Sequence, residues 1–239
     1  MRRVLPIAVI VCLCSLFSTA VSRAQGFPLV KSGVRSSQIF LGDNASPTEK
    51  YAAQELQRAL EKISGAKLNI VPGAPSAPAV AIGTPQSMPA IQAANLFNTQ
   101  NAEEVRVVTR DGVLYLAGPT PRAALQAVYT FLQDTLGARW YWPGESGEYL
   151  PSQKTVSTGT LDIRQLPSLT DRSLSINSPH WDEETVVWMA RNRLNWHHLQ
   201  GSTITHEHIN FLHEKGLQVV IGGHNITLDK KLLEEHPEY

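Results

Sequence analysis

Apolar residues recur at helical spacing in two segments of the first half of the chain. The first segment begins with the capping box Ser46-Pro47-Thr48-Glu49, has proline at the first helical position, and stops at Gly65. The second begins at Thr120-Pro121 and stops at Gly137. The apolar faces are Ala52, Leu56, Ala59, Leu60 and Ile63 in the first segment, and Leu125, Val128, Tyr129, Leu132 and Leu136 in the second. The spacing therefore predicts two amphipathic helices, each with one buried face.

Short apolar runs between these helices predict strands. The runs are Leu68–Val71, Ala79–Ile82, Val105–Thr109 and Val113–Ala117. Asp111-Gly112 separates the last two runs, and Asp-Gly favours a hairpin turn because both residues tolerate a positive φ. Helices and strands together predict an α/β layer domain over residues 25–163, with its ordered elements between about Phe27 and Ile163.

The last third of the chain alternates strand and helix patterns. Strands are predicted at Ser173–Ile176, Trp196–Leu199 and Leu217–Ile221, and helices at Glu183–Leu194 and from the cap Thr205 through Leu212 to a stop at Gly216. This alternation is the beginning of a parallel α/β fold. We expect residues 164–239 to form the first strands and helices of an incomplete (β/α)₈ barrel. A complete barrel takes about 250 residues, and only 73 follow Leu166 (239 minus 166).

The first 24 residues have the pattern of a cleavable signal peptide. Two arginines precede the apolar run Val4–Ala20, which is shorter than a membrane span and its flanks require. Ser22-Arg23-Ala24 places small residues at the two positions that signal peptidase inspects. Cleavage before Gln25 is therefore predicted, with Ala20 as an alternative site, and the mature protein is expected in the periplasm or outside the cell.

Charge and cysteine content exclude several classes of protein. The chain has 21 Lys+Arg and 21 Asp+Glu, and removal of Arg2, Arg3 and Arg23 with the leader leaves 18 against 21. A slightly acidic mature chain is not expected to bind nucleic acid or an anionic membrane. Cys12 and Cys14 lie in the leader, and neither follows the small residue that a lipoprotein signal requires. We therefore expect neither a membrane anchor nor a disulfide.

Motifs for cofactors and metals are absent from the sequence. It contains no Ser-His-Asp signature, glycine-rich phosphate loop or dinucleotide motif, so no cofactor is predicted. His206, His208 and His213 invite a metal interpretation, but on a helix the first two point about 200° apart. Zinc motifs on helices use a spacing of four. The pattern favours a solvated helix start, and no metal site is predicted.

Several aromatic and imidazole side chains follow the predicted parallel strands. The carboxyl ends of such strands face a common site. The residues expected there are His180, Trp181, His198 and His224. Imidazole and indole rings combine hydrogen bonding with a flat apolar face, which suits a sugar. For His198 or Trp181 alone, packing beneath a loop is an equally open alternative.

Two parts of the chain resemble the N-terminal domain shared by bacterial α-glucuronidases and β-N-acetylhexosaminidases. The first is the helix Tyr51–Arg58 with Lys62–Ala66, and the second is Pro121-Arg122 with Arg139-Trp140-Tyr141 and Pro143-Gly144-Glu145. The tail with Gly222-Gly223-His224 is similar to bacterial proteins that join this domain to a predicted glycosidase barrel. The resemblance implies that residues 25–163 are non-catalytic. It also implies that the catalytic carboxylates lie in later strands of a following barrel.

The same resemblance implies a role for Arg172. In the hexosaminidases, a proline followed a few residues later by an arginine at the first barrel strand contacts the terminal sugar, and the stretch from Pro167 to Arg172 is similar. A guanidinium can hold two hydroxyls or a uronic carboxylate at once. Arg172 is accordingly expected near the mouth of the barrel. A salt bridge with Asp171 or Glu183 is the structural alternative.

Other conspicuous residues have structural interpretations. The aromatic cluster at residues 140–142 is expected to pack the two domains together rather than to form a sugar platform. Asp182, Glu183 and Glu184 begin a helix, where carboxylates favour the helix dipole without any catalytic duty. No catalytic acid or base is therefore assigned.

Together these features predict the N-terminal portion of an exported glycoside hydrolase that acts on polysaccharide or oligosaccharide fragments. The substrate would be a carbohydrate, and the 239-residue chain is expected to be inactive because it lacks the catalytic carboxylates. A non-catalytic carbohydrate-binding protein is the alternative. The sequence gives no indication of the oligomeric state.

Overall fold

The computed structural model describes residues 26–98, 100–174, 181–199 and 205–221, and the predicted leader lies outside these ranges. The first half contains β1 (Phe27–Lys31), β2 (Val34–Arg35), β3 (Gln38–Leu41), α1 (Pro47–Ser64), β4 (Ile70–Pro72), β5 (Ala79–Gly83), α2 (Pro89–Ala93), β6 (Val105–Arg110) and β7 (Val113–Ala117). The second half contains α3 (Pro121–Thr130), β8 (Arg139–Trp140), β9 (Glu148–Tyr149), β10 (Val156–Thr158), β11 (Asp162–Gln165), β12 (Ser173–Leu174), α4 (Glu183–Arg191), β13 (Trp196–Leu199), α5 (His206–Glu214) and β14 (Gln218–Ile221). None of the helices in these ranges is long and apolar enough to cross a bilayer.

The largest sheet has six strands in the order β11-β6-β7-β5-β3-β4. Strands β4, β3, β5 and β7 are parallel, and β6 and β11 add antiparallel neighbours at one side. Because successive side chains of a strand point to opposite faces, Val80 and Ile82 pack in one core with α1 and α3. Ala79 and Ala81 face a second core that includes Ile91 of α2. The sheet is therefore covered on both faces, which matches the predicted α/β layer class.

Helix α1 confirms the predicted start and stop. The backbone N–H of Glu49 donates to Ser46 Oγ at 3.2 Å, and the backbone N–H of Ser46 donates to Glu49 Oε2 at 2.7 Å. This reciprocal pair satisfies donors that the first helical turn leaves free. Gly65 ends the helix with φ 82°, a left-handed conformation that residues with a side chain rarely adopt.

Helix α3 begins as predicted but changes its geometry before Gly137. The α-helix ends at Thr130, and Phe131–Thr135 form a π-helical turn with wider hydrogen bonds. Leu132 remains fully buried, whereas Leu136 is only partly buried against the core. A π turn inserts one extra residue per turn, so it rotates the following residues relative to the α-helical face. That rotation explains why Leu136, which spacing places on the buried stripe, is only partly buried.

The predicted hairpin is present, and several strands that the patterns did not indicate complete the sheets. Asp111 and Gly112 adopt φ 52° and 73°, as a hairpin turn with two positive φ values requires. Strand β3 lies at the centre of the parallel strands although its apolar run is short. Strand β4 ends at Pro72, and its edge position explains why proline is tolerated. Strands β10, β1 and β2 form a separate antiparallel sheet.

The last described part of the chain forms a parallel sheet in the order β12-β13-β14. Helix α4 lies between β12 and β13, and α5 lies between β13 and β14, as the alternation of patterns predicts. Helix α4 stops at Arg191 rather than Leu194 because Arg193 adopts φ 61° and the Leu194 N–H bonds to Met189 O. The predicted strand residues 175 and 176 lie outside the described ranges.

One apolar core joins the six-stranded sheet to the parallel unit. Val186 and Met189 of α4 and Leu212 of α5 belong to the same cluster as residues of α1 and α3. The predicted boundary between residues 163 and 164 is therefore crossed by buried contacts. The division into two domains stays a prediction.

Candidate functional site

Trp181 lies against helix α5 instead of standing free at the end of a strand. Its indole stacks on the His208 ring at 4.2 Å between centroids and 17° between planes. Phe211 and His197 meet the indole edge-on at 5.8 Å and 6.4 Å. His208, which the sequence assigned to a solvated helix start, is thus part of an aromatic cluster that spacing did not reveal.

The predicted sugar-binding set is only partly within the described chain. His180 and His224 lie outside the described residues. His198 is exposed on β13, next to His197. Neighbouring strand residues point to opposite faces, so His197 faces the Trp181 cluster and His198 points away from it. The contacts therefore do not bring Trp181 and His198 together, and their shared role in binding a sugar stays a prediction.

His197 is a residue that sequence reasoning missed. Its Nδ1 is buried and has no hydrogen-bond partner within the described part of the chain. Burial lowers its pKa, and the neighbouring His198 charge lowers the pKa further. Both effects favour the neutral form of the ring.

Arg172 precedes the parallel sheet, and its guanidinium is fully engaged. Its five N–H groups point to Arg193 O (2.9 Å), Leu169 O (2.7 Å), Thr170 O (3.4 Å), Glu103 Oε2 (3.1 Å) and Gln126 Oε1 (3.3 Å). Asp171, one of the partners considered from sequence, accepts the Trp196 indole N–H at 2.6 Å. The carboxylate that pairs with Arg172 is Glu103, which lies 69 positions away in the chain.

The structure places Arg172 at the start of the parallel sheet, and its expected position near the mouth of a barrel stays a prediction. Strand β12 begins at Ser173, so Arg172 lies at its amino end, where its carbonyl accepts the Asn195 and Trp196 N–H groups. Ligand sites of parallel α/β folds lie at the opposite, carboxyl ends. Contact between Arg172 and a sugar stays a prediction, and it requires that one of the five donors be released.

A second group of residues forms an open cleft beside the loop that follows β8. The cleft has a volume of about 380 Å³, and its walls include Trp142, Trp188, Glu183, Glu184 and Lys215. The Trp142 side chain is 53% exposed, and its indole N–H donates to Ser146 Oγ at 3.1 Å. Aromatic faces beside carboxylates are a combination that can bind a sugar ring.

Trp140, the last residue of β8, is buried and connects three elements. Its indole N–H donates to Glu148 at 2.9 Å, and its ring meets Tyr129 edge-on at 5.8 Å. Its backbone carbonyl accepts the Trp188 indole N–H at 3.0 Å. Trp140 therefore packs the elements together while lining the cleft from below, and Trp142 is the exposed aromatic residue of the cleft wall.

A network of buried charges lies beneath the cleft. Glu55 accepts from Arg191 Nε at 2.7 Å and from Arg58 Nε at 3.0 Å, and its side chain is 5% exposed. Glu148 pairs with Arg58 at 2.7 Å and with Lys62 at 3.0 Å. These pairs tie α1 to β9 and α4, and each buried carboxylate has a cation within hydrogen-bond distance.

The electrostatics of this network point to structure rather than to proton transfer. Burial alone would raise the pKa of Glu55, but the hydrogen bonds and charges of Arg191 and Arg58 outweigh it and hold the pKa below its ordinary value. Burial also opposes ionisation of Glu148, and Arg58, Trp140 and Lys62 nevertheless lower its pKa to about 2. A general acid needs a raised pKa. Glu55 and Glu148 are therefore permanent anions at neutral pH.

The possible metal ligands of the described chain lie apart from one another. Within residues 26–98, 100–174, 181–199 and 205–221, no three His, Cys, Asp or Glu side chains lie close enough to hold a metal ion.

Solved structures share the fold of this chain at low sequence identity. The chain superposes on a family GH115 4-O-methyl-α-glucuronidase, BtGH115A, with a TM-score of 0.62 and 16% identity, covering 80% of this chain and 29% of that one. It matches the Streptomyces plicatus N-acetyl-β-hexosaminidase with a TM-score of 0.52 and 16% identity, covering 82% and 42%. It matches CpGH84D with a TM-score of 0.54 and 11% identity, covering 88% and 38%.

These likenesses establish a glycoside hydrolase-like α/β fold. The chain spans between 29% and 42% of the length of these three structures. No protein-family model and no curated protein matches the sequence. Fold alone does not assign an activity, so function has to be argued from the residues.

Proposed function

We propose that this chain is the N-terminal portion of an exported glycoside hydrolase related to the α-glucuronidases and β-N-acetylhexosaminidases. The observation that carries the proposal is the parallel unit β12-α4-β13-α5-β14 that follows the six-stranded sheet. The fold likeness to a glucuronidase and a hexosaminidase supports it. The substrate is a carbohydrate of a polysaccharide or oligosaccharide.

In this proposal the two parts of the chain have different tasks. Residues 25–163 form a non-catalytic domain, and residues 164–239 form the opening strands of a (β/α)₈ barrel. Glycosidases need a pair of carboxyl groups that flank the bond to be cleaved. The buried carboxylates Glu55 and Glu148 are held by arginines, and in this proposal the catalytic pair lies on later strands of the barrel.

The test compares the 239-residue chain with the product of the complete native gene. We expect hydrolysis of aryl glucuronides or aryl N-acetylhexosaminides by the complete product and none by the chain alone, because three parallel strands cannot enclose a substrate. Turnover by the purified chain, after contaminating activity has been excluded, would contradict this assignment. Absence of turnover on a wide panel of glycosides by the complete product would contradict it as well.

Export belongs to the same proposal. The pattern Arg2-Arg3, Val4–Ala20 and Ser22-Arg23-Ala24 supports cleavage before Gln25. Mass spectrometry of the N-terminus from the native host should find Gln25 as the first residue. An intact Met1 on protein recovered from the cytoplasm would exclude export.

A non-catalytic carbohydrate-binding protein is the second candidate, and the cleft beside Trp142 favours it. If the cleft holds a sugar, Trp142→Ala should weaken oligosaccharide binding about tenfold or more, because the exposed ring is removed. Tyr149→Ala is the matched control, since Tyr149 is similarly exposed (54%) and does not line the cleft. Equal loss in both variants, or none in either, would argue against a site at Trp142.

A further inference from the structure

A cleft at the amino end of the parallel sheet has a cationic lining. It has a volume of about 590 Å³ and lies where the end of β11 meets α3 and the loop between α4 and β13. Arg164, Arg172 and Arg193 line it, and no Asp or Glu is among the described residues of its wall. The charged side chains of the wall are therefore all cations, and each is paired with a carboxylate that does not line the cleft: Arg164 with Glu104, Arg172 with Glu103 and Arg193 with Asp134.

Two of the three arginines have donors left for a ligand. Arg164 uses its Nε–H on Glu104 at 2.7 Å. Arg193 directs its Nη1 group toward Gln165 at 3.1 Å, Thr130 at 3.3 Å and Asp134 at 3.5 Å. Their side chains are 38% and 34% exposed, so the remaining guanidinium N–H groups can reach a ligand in the cleft. Arg172 has all five donors engaged and contributes charge rather than a hydrogen bond.

Gln126 adds an unsatisfied donor to the same cleft. The residue is 4% exposed and lines the cleft, and its Nε2 is buried without a hydrogen-bond partner in the described chain. Its Oε1 accepts from Arg172 Nη2 at 3.3 Å. Exchange of the amide oxygen and nitrogen would place two donors face to face, so the Arg172 contact fixes this orientation. A buried donor without an acceptor is rare in proteins and favours a bound acceptor.

We propose that this cleft binds the carboxylate of a small acidic ligand. A carboxylate has two coplanar acceptor oxygens, which match the N–H groups of a guanidinium and of an amide. Leu166 is 43% exposed and, with Pro167, gives the cleft an apolar wall for the body of the ligand. The cleft lies at the amino ends of the parallel strands, whereas barrel enzymes carry catalysis at the carboxyl ends. It is therefore separate from the proposed hydrolytic site and does not depend on it.

Isothermal titration of the 239-residue chain with three probes tests the proposal. D-galacturonate is an acidic sugar, malate is an acid without a sugar ring, and D-galactose is the neutral counterpart of the first. We expect at least one acid to bind, with at least about tenfold higher affinity than galactose. Binding of galacturonate alone would identify a sugar acid, and binding of malate would identify a general carboxylate site. If neither acid binds below about 10 mM, or galactose binds equally well, the proposal is overturned.

Variants locate the binding to this cleft. Gln126→Glu keeps an oxygen toward Arg172 and replaces the free donor by an acceptor, so affinity should fall about tenfold or more. Arg193→Gln should also weaken binding. The control is Arg110→Gln, which should leave the affinity unchanged. Val105 at the start of β6 lines the cleft, and Arg110 lies at the opposite end of that strand. Unchanged affinity in Gln126→Glu would overturn the proposal.

A second measurement covers the case in which Gln126→Glu does not fold. In the unaltered chain, the side-chain amide signal of Gln126 in a ¹⁵N spectrum should shift as the acid is added, because its N–H gains an acceptor. Signals of the Gln57 amide, which already donates to Leu68 O, should stay in place. A Gln126 signal that does not move at saturating acid would also overturn the proposal.

Discussion

At the scale of single residues, the role of an arginine depends on which of its donors are already engaged. Arg172 contacts Glu103, Gln126 and three backbone carbonyls, and its side chain is 17% exposed. These contacts join the segment before β12 to α3 and to the loop after α4. They favour a structural role over contact with a sugar.

Replacement of Arg172 by lysine distinguishes the two roles. Lysine keeps the charge but loses the planar fork, so several buried acceptors would lose their partner. We expect the free energy of unfolding of the 239-residue chain to fall by about 1 to 3 kcal/mol, measured by urea denaturation. Arg35→Lys on the exposed strand β2 is the control and should change it by less than about 0.5 kcal/mol. Unchanged stability, together with a tenfold or greater loss of kcat/KM in the complete enzyme, would restore the sugar-binding role.

Glu148 makes the stability of the protein sensitive to acid. Its pKa is about 2 in the folded protein against an ordinary value of 4.5, so the unfolded chain takes up the proton first as the pH falls. The stabilisation is present above about pH 4.5 and is lost progressively as the pH falls toward 2, and the lowered pKa of Glu55 acts in the same direction. Glu148→Gln should therefore flatten the decline of the thermal midpoint across this range. Glu61→Gln, at an exposed position of α1, should leave the decline unchanged.

At the scale of elements, the local signals that define a helix were largely visible in the sequence. The cap at Ser46, the stop at Gly65 and the turn at Asp111-Gly112 involve neighbours within a few positions, so spacing reveals them. The π turn after Thr130 was not predictable in this way, because the same residues fit an ordinary helix. Strand β3 was missed because only its partners in the sheet distinguish its short apolar run from a buried loop.

Truncation of two core leucines tests the helical faces. Leu56 of α1 and Leu132 of the π turn are both fully buried, so Leu56→Ala and Leu132→Ala should each lower the free energy of unfolding by about 2 to 5 kcal/mol. Val34→Ala serves as the control, because Val34 is 66% exposed and should matter by less than about 0.5 kcal/mol. Chemical denaturation followed by circular dichroism gives all three values. Losses below about 0.5 kcal/mol for both leucines would mean that the faces are misassigned.

At the scale of the whole molecule, the buried charges connect the two predicted domains. Arg191 of α4 donates to Glu55 of α1 at 2.7 and 3.0 Å, across 136 positions of sequence. The Arg191 guanidinium also lies 5.6 Å from the centre of the Trp140 ring. Because a buried charge without its partner is costly, these contacts couple the folding of one part to the other.

Removal of Arg191 measures that coupling. Arg191→Ala leaves the buried Glu55 with only Arg58 as a cation, and we expect a loss of about 3 to 5 kcal/mol in the free energy of unfolding. The control Lys67→Ala removes an exposed cation 4.0 Å from Glu61 and should cost less than about 1 kcal/mol. Denaturation followed by both tryptophan fluorescence and circular dichroism should show one transition in the unaltered chain. Two separate transitions, or a loss below about 1 kcal/mol in Arg191→Ala, would show that the parts fold independently.

The sequence by itself determined the α/β class, the capped helices, the hairpin turn and the parallel order of the last strands. These features depend on residue spacing and on neighbours within one or two turns of the chain. Only the tertiary structure decided which side chains are engaged: Arg172 with Glu103, Trp181 with His208, and Glu55 with Arg191. A partner 69 or 136 positions away leaves no mark on local spacing, because its proximity arises only when sheets and helices pack.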